Sequence, residues 1–172
     1  MRRDPTDWRF AIDGNLPMAE GAFYRTDELE AVVARMARQA HRLVDDPENL
    51  VVVGILRRGA PLADRICAHL RGLWRADRIA RLDLDIKRYA DDLTLLFPET
   101  RLRESASGET ADVAGRTVLL VDDVLYEGHS MLRAVEWLAR RRPAAIRTAV
   151  LVDRACAKLP MKADVVGVTL EV

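Results

Sequence analysis

Val118-Leu119-Leu120-Val121-Asp122-Asp123-Val124-Leu125-Tyr126-Glu127-Gly128-His129-Ser130 is the stretch whose reading decides the fold of this 172-residue chain. Thr117 to Val121 is an apolar, branched run with the character of a buried strand. Met131, Leu132, Val135, Leu138 and Ala139 then recur at helical spacing, which predicts a helix ending near Arg142-Pro143. Between the two, the strand delivers Asp122 and Asp123 to its exposed end. Gly128 lets the backbone approach an anion closely, and Ser130 adds a hydroxyl where a helix offers free N–H groups and the positive end of its dipole. With Asp122 and Asp123 before it, the segment from Val124 through Leu125, Tyr126, Glu127, Gly128 and His129 to Ser130 therefore reads as a sugar-phosphate cradle, with the two aspartates for ribose hydroxyls and amides for phosphate. The same pattern also fits a solvated strand end followed by a plain turn, so the rest of the chain has to arbitrate.

Working outward, Leu29, Val32, Val33, Met36, Ala40 and Leu43 recur at helical spacing behind the capping pair Asp27 and Glu30, up to Asp45-Asp46-Pro47. Val51 to Leu56 reads as a buried strand. After Arg57-Arg58-Gly59 a second helix is predicted from about Pro61 to Leu73. Ile79 to Ile86 alternates like a strand, with Leu82, Leu84 and Ile86 on one side and Asp83 and Asp85 on the other. Ala90 to Gly115 is polar and broken, and a stretch of that length inside a compact domain marks a functional flap. Ile146 to Val152 and Val165 to Leu170 supply further strands. Strands alternating with helices predict an α/β fold, a mostly parallel sheet covered by helices on both faces. Residues 1–26 lack any sustained period and are expected to form an irregular arm before one domain spanning 27–172.

Composition narrows the class. Acidic and basic residues balance at 27 each, so nothing global argues for a polyanionic partner, and a local basic patch is left open. Cys67 and Cys156 are far apart with no metal-ligand spacing around them, which predicts two core thiols in a reducing compartment. No apolar run approaches the roughly 18 residues needed to cross a bilayer, and the N-terminus lacks the apolar centre of a signal peptide. The expectation is a cytoplasmic protein without a membrane partner.

Taken together, the segments resemble the type I phosphoribosyltransferase family, and within it the pyrimidine operon attenuator and uracil phosphoribosyltransferase group. Val118 to Ser130 is similar to the family's signature for phosphoribosyl diphosphate (PRPP). Arg57-Arg58-Gly59 resembles its diphosphate loop, Tyr89-Ala90-Asp91-Asp92-Leu93-Thr94 its flap, and Leu151-Val152-Asp153-Arg154 with Leu159-Pro160-Met161-Lys162-Ala163-Asp164 its later motifs. The resemblance implies that fold, a Rossmann-like sheet with a flexible flap, and displacement of pyrophosphate from PRPP by a base, with uracil foremost and Mg2+ as cofactor. It implies that Asp122 and Asp123 hold the ribose, that Val124 to Ser130 hold the 5′-phosphate, and that Arg57, Arg58 and Gly59 meet the pyrophosphate. The flap residues Tyr89, Asp91 and Asp92 would close over the site, and Met161, Lys162, Ala163 and Asp164 would lie near the base. UMP as a ligand, a homo-oligomer, and RNA as a partner are implied by resemblance alone.

Three positions depart from the family pattern. Glu127 stands where threonine is usual, His129 where a basic residue is usual, and Ala90 where arginine is usual, with Arg88 two positions earlier. A carboxylate about 4 Å from a phosphate charge costs roughly 4 kcal/mol at an effective dielectric near 20, about three orders of magnitude in affinity. That cost nearly vanishes if the side chain turns outward. A protonated His129 restores part of the attraction. These departures keep a second reading open, a nucleotide-binding regulator with weakened turnover on the same fold.

Overall fold

The computed structural model describes residues 26–86, 101–104 and 111–170. Helix α1 (Thr26–His41) leads through a short 3-10 turn (Pro47–Asn49) into strand β1 (Leu50–Ile55), and helix α2 (Gly59–Trp74) follows. Next come β2 (Ala80–Asp85), β3 (Arg101–Glu104), β4 (Thr117–Leu125), helix α3 (His129–Ala139), β5 (Ala145–Asp153) and β6 (Val165–Thr169). The six strands form one sheet in the order β3-β2-β1-β4-β5-β6, parallel throughout except for β3, which runs antiparallel to β2. No helix among the described residues is long and apolar enough to cross a membrane.

The sheet has a core on each face, and strand alternation divides them. Leu50, Val52, Leu119 and Val121 pack with α1 and α2, whereas Val51, Val53, Ile55, Val118 and Leu120 pack with Met131, Ala134 and Leu138 of α3. Both faces of β1 are buried, which is why its six residues read as a continuous apolar run. Gly54 faces α2 at a point where a Cβ would lie 2.7 Å from the Ala60 Cα, so the helix sits directly on the strand backbone.

The expected elements are present with shifted ends. The strand expected to stop at Val121 continues to Leu125, in register with β5 through Asp122↔Val150, Val124↔Val152 and Leu125↔Asp153. Its helix begins at His129, one residue before Ser130, and ends at Ala139, short of Arg142. Inside the stretch expected to be a flap, Arg101–Glu104 forms the strand β3 on the outer side of β2. Its sequence, Arg-Leu-Arg-Glu, holds a single apolar residue, as suits an edge strand, and leaves no hydrophobic signal. Cys67 is a core thiol as expected, but Cys156 is only half-buried in the loop after β5.

Two long-range contacts of α1 were not legible as such. Glu30, expected to help cap its own helix, instead bonds Arg65 and the His69 ring of α2, the latter at 2.6 Å. At the outer edge of the sheet, the Gln39 amide accepts from Val166 N–H and donates to Val166 C=O, both at 3.3 Å, and Arg35 donates to the Gly167 carbonyl.

The Arg65 guanidinium beside Glu30 holds its carboxyl below the usual carboxylate range, against a smaller opposing effect of burial and with further help from His69. A carboxylate with a depressed folded-state pKa stabilises the fold above the ordinary carboxylate value and loses that contribution as pH falls through the folded value. Glu30→Gln is therefore expected to lower the melting temperature at pH 7 and to flatten its decline towards pH 3. A wild-type and variant difference that does not change with pH would show that the charge on Glu30 is immaterial.

Candidate functional site

The carboxyl ends of β1 and β4, side by side at the centre of a parallel sheet, open into a cleft of about 580 Å3 lined by residues 56–58 and 122–131. The lining joins the two segments that the sequence singled out separately. Gly59 makes this possible: a Cβ there would lie 2.3 Å from the Val121 carbonyl oxygen and 3.1 Å from the Asp122 Cα. Only a residue without a side chain lets the loop from β1 press on the end of β4. The Leu56–Arg57 peptide is cis, and Arg57 and Arg58 are both exposed.

Because β4 runs on to Leu125, Asp122 and Asp123 lie within the strand and leave it on opposite faces. This corrects the expectation of an adjacent pair on an exposed strand end. Asp122 is buried, 7% exposed, and its Oδ1 accepts from the Asp123 N–H at 2.9 Å. Asp123 looks into the cleft, where its Oδ2 lies 3.5 Å from Nη1 of Arg58, and its Oδ1 accepts from the Val124 N–H. One carboxylate is thus fixed in the strand and the other pairs across the cleft.

Gly128 caps α3 with a φ of 93°, a backbone that side-chain-bearing residues rarely adopt, and a Cβ there would also press on Met161 at 3.3 Å. The first intrahelical bond is Leu132 N–H to the Gly128 carbonyl at 2.9 Å. The amides of His129, Ser130 and Met131 therefore precede it at the positive end of the helix, and all three residues line the cleft. Ser130 lies in the helix's first turn as expected, and His129 begins that turn.

Glu127 faces Lys158. The Lys158 ammonium bonds one carboxylate oxygen at 2.5 Å, and Nε2 of His129 lies 3.6 Å from the other. The Lys158 hydrogen bond holds the Glu127 carboxyl below the usual carboxylate range, with His129 adding a smaller charge attraction, and the same pair raises the Lys158 ammonium. The Glu127 carbonyl accepts from the Lys158 and Leu159 N–H groups, so the segment after β5 braces the loop from outside. Tyr126, half-exposed, carries the Arg154 guanidinium 4.6 Å from its ring centre.

Residues 21–172 match the phosphoribosyl transferase domain family. The chain belongs to that phosphoribosyltransferase family. It is 40% identical over 142 residues to the bifunctional protein PyrR of Chloroflexus aurantiacus, covering 82% of this chain and 76% of that one. Against the bifunctional protein PyrR of a Roseiflexus species it is 40% identical over 151 residues, covering 87% and 81%. Among solved structures, a hypoxanthine-guanine phosphoribosyltransferase of Bacillus anthracis superposes with a TM-score of 0.70 at 17% identity, covering 88% and 84%. The hypoxanthine phosphoribosyltransferase of Trypanosoma cruzi does so at 0.65 and 18%, covering 88% and 82%. These last two are likenesses of fold.

The segment from Met161 to Asp164 adjoins the cleft from behind, through Gly128. None of Met161, Lys162, Ala163 and Asp164 lines the cleft. Met161 packs under Gly128, and Ala163 is buried in the core beneath α3. The Lys162 carbonyl accepts from Thr148 Oγ1 at 3.2 Å, and Asp164 Oδ2 accepts from the Thr148 N–H at 2.8 Å, which fastens this segment along β5. The flap residues Tyr89, Asp91 and Asp92, and Ala90 among them, lie outside the described residues. Lys158 and Arg154 shape the site without having been singled out individually. The one available signal was that Lys158 is among only three lysines, Lys87 and Lys162 being the others.

The tight seat of Gly59 can be tested directly. Gly59→Ala must push the loop off β4, and overpacking of this kind costs about 1–3 kcal/mol. Denaturant unfolding should show that loss. A variant as stable as the wild type would show that loop and strand are not in contact.

Proposed function

We propose that this phosphoribosyltransferase moves the phosphoribosyl group of PRPP to a nitrogenous base, with uracil the first candidate, and releases pyrophosphate. The observation that carries the reading is that one cleft unites an arginine loop, a strand-borne carboxylate and a helix N-terminus. These are the three things that a ribose bearing a diphosphate at one end and a phosphate at the other requires.

In the reaction the bond between the anomeric carbon and the pyrophosphate oxygen breaks, and a bond from that carbon to the base nitrogen forms. The proton on that nitrogen is released. The ring becomes cationic in transit while the leaving group gains negative charge. Arg58 and Asp123 stand 3.5 Å apart with opposite charge, which suits a cation forming next to an anion. Preorganised charges of this kind act without reorganisation at the moment of reaction. Asp122 is held by burial and serves the ribose from the strand. The amides of His129, Ser130 and Met131 receive the 5′-phosphate at the helix's positive end. Tyr126, beneath the Arg154 guanidinium, offers an aromatic face at the cleft.

Among the described residues no three His, Cys, Asp or Glu side chains converge to hold a metal ion. Magnesium commonly takes one or two carboxylates and completes its shell with substrate phosphates and water. Asp122 and Asp123 are the candidate carboxylates. When bound, the ion supplies charge neutralisation for the departing pyrophosphate.

Glu127 is the observation favouring the second reading, a regulator that binds nucleotide and turns over poorly. Its pairing with Lys158 removes most of the repulsion that a lone carboxylate would exert on phosphate. Glu127→Thr is accordingly expected to change the Kd for PRPP by less than about threefold. Lys158→Ala, which removes the ammonium from the carboxylate, should weaken PRPP by up to about tenfold. Equal effects of the two substitutions would show that the pair does not act as a neutral unit.

The decisive measurement is pyrophosphate release from PRPP with magnesium and a panel of bases, where uracil should give the fastest release. No release with any base, together with tight UMP binding, would replace transfer by the regulatory reading. For that reading, salt-dependent binding to a structured leader RNA is the relevant assay.

A further inference from the structure

Arg81 in β2 is a charged side chain in the interior, 4% exposed, and no motif of the chain includes it. Removing a guanidinium from water is costly unless nearly all of its donors are met. Here Nη2 donates to the Ala60 carbonyl at 2.9 Å, Nε donates to Asp64 Oδ1 at 2.9 Å, and Nη1 meets Asp83 Oδ1 at 2.8 Å and the Leu82 carbonyl. Two of these partners, Ala60 and Asp64, lie in the first two turns of α2. The other two belong to β2 itself. Arg81 therefore ties the start of the helix to the sheet through one planar group.

The tie lands where it affects the arginine loop. Ala60 follows Gly59, and Arg58 caps the helix. A Cβ at Gly54 would lie 3.0 Å from Nη2 of Arg81 as well as 2.7 Å from the Ala60 Cα, so strand, helix start and guanidinium meet at one point. The glycine leaves room for the guanidinium to reach beneath the helix. Gly59 presses on β4 from the adjacent position. The start of α2 is thus fixed from two sides, by Gly59 against β4 and by Arg81 from β2, and the fixed element carries Arg58 to Asp123.

We infer that Arg81 is a positioning residue for the Arg57-Arg58-Gly59 loop and sets its affinity for the diphosphate of the substrate, an inference that rests on the transfer reading above. Lysine cannot replace it fully, because a point charge cannot serve helix and strand at once as the guanidinium fork does. A residue that only stabilised the fold would lower the melting temperature and leave the KM values of the folded protein in proportion.

The test compares wild type, Arg81→Met, Arg81→Lys and Asp64→Asn, each assayed well below its own melting temperature. Readouts are the KM for PRPP, the KM for the base, and the Kd of inorganic pyrophosphate by calorimetry. Arg81→Met is expected to raise the PRPP KM and the pyrophosphate Kd by about tenfold or more, the scale on which small misplacements act. The base KM should stay within about twofold, and Arg81→Lys should fall between. Asp64 has a side chain 60% exposed, so Asp64→Asn should fold even if Arg81→Met does not, and should show a smaller loss in the same direction. Folded variants that melt earlier but bind pyrophosphate and PRPP like the wild type would overturn the role of Arg81. A wild-type protein that binds neither ligand would overturn the transfer reading and this role with it.

Discussion

The backbone of the loop after β1 rests on the backbone of β4, with Gly59 so close to the Val121 carbonyl and Asp122 that even a methyl group would not fit. Much else in the molecule follows from that contact. It places the arginine loop against the carboxylate-bearing strand, and it makes one cleft out of two strand ends. It also orients α2, whose first turn must follow directly from Gly59 and lie over Gly54. The parallel register of β1 against β4, Gly54↔Val121, sets the heights of the two strand ends that meet there. A close-packed interior transmits such constraints because it has no slack to absorb them.

Charge is arranged around this contact so that each carboxylate near the cleft has an identified partner or hydrogen bond. Asp123 faces Arg58, Asp122 is turned back onto the amide of its neighbour, and Glu127 is taken by Lys158 with His129 close by. The departure of Glu127 from the family pattern looks severe when the loop is considered alone. It looks mild once the segment after β5 is folded against it. Lys158 bonds Glu127 through both its side chain and its backbone N–H, and so supplies a positive charge and a brace from the same residue. The positive end of α3 is left facing the cleft.

Much of this was legible in the residues because β1 and the first half of β4 are apolar on both faces and the helices keep a strict spacing. Val118 to Val121 announced a buried strand, and Gly128 with Ser130 announced the turn into a helix. What the pattern could not convey was where the strand would stop. Asp122 and Asp123 are poor strand formers, yet pairing with β5 on one side carries β4 past both of them. Strand β3 was hidden by its charged composition, and Glu30 was misread because a local cap and a distant pair use the same carboxylate. Arg81 and Lys158 were beyond reach for a related reason. The helix partners of Arg81, Ala60 and Asp64, and the Glu127 partner of Lys158 lie 17 to 31 residues away across the fold, and no periodicity encodes such pairings. The segment from Met161 to Asp164 matched a motif by sequence, while its bonds to Thr148 depend on how β5 and β6 come together.

The contact between Gln39 and Val166 also bears on how copies of the chain can meet. An outermost strand with open N–H and C=O groups is a template for another strand, and proteins must guard it. The Gln39 amide group meets both backbone polar groups of Val166, donating and accepting at once, and Arg35 donates to the Gly167 carbonyl. Sheet continuation from one molecule to another through β6 would first have to lift α1 away from a core that includes Val33, Met36 and Ala37. Among the described residues, two side chains of one helix thus satisfy backbone groups of β6 that its pairing with β5 leaves unused.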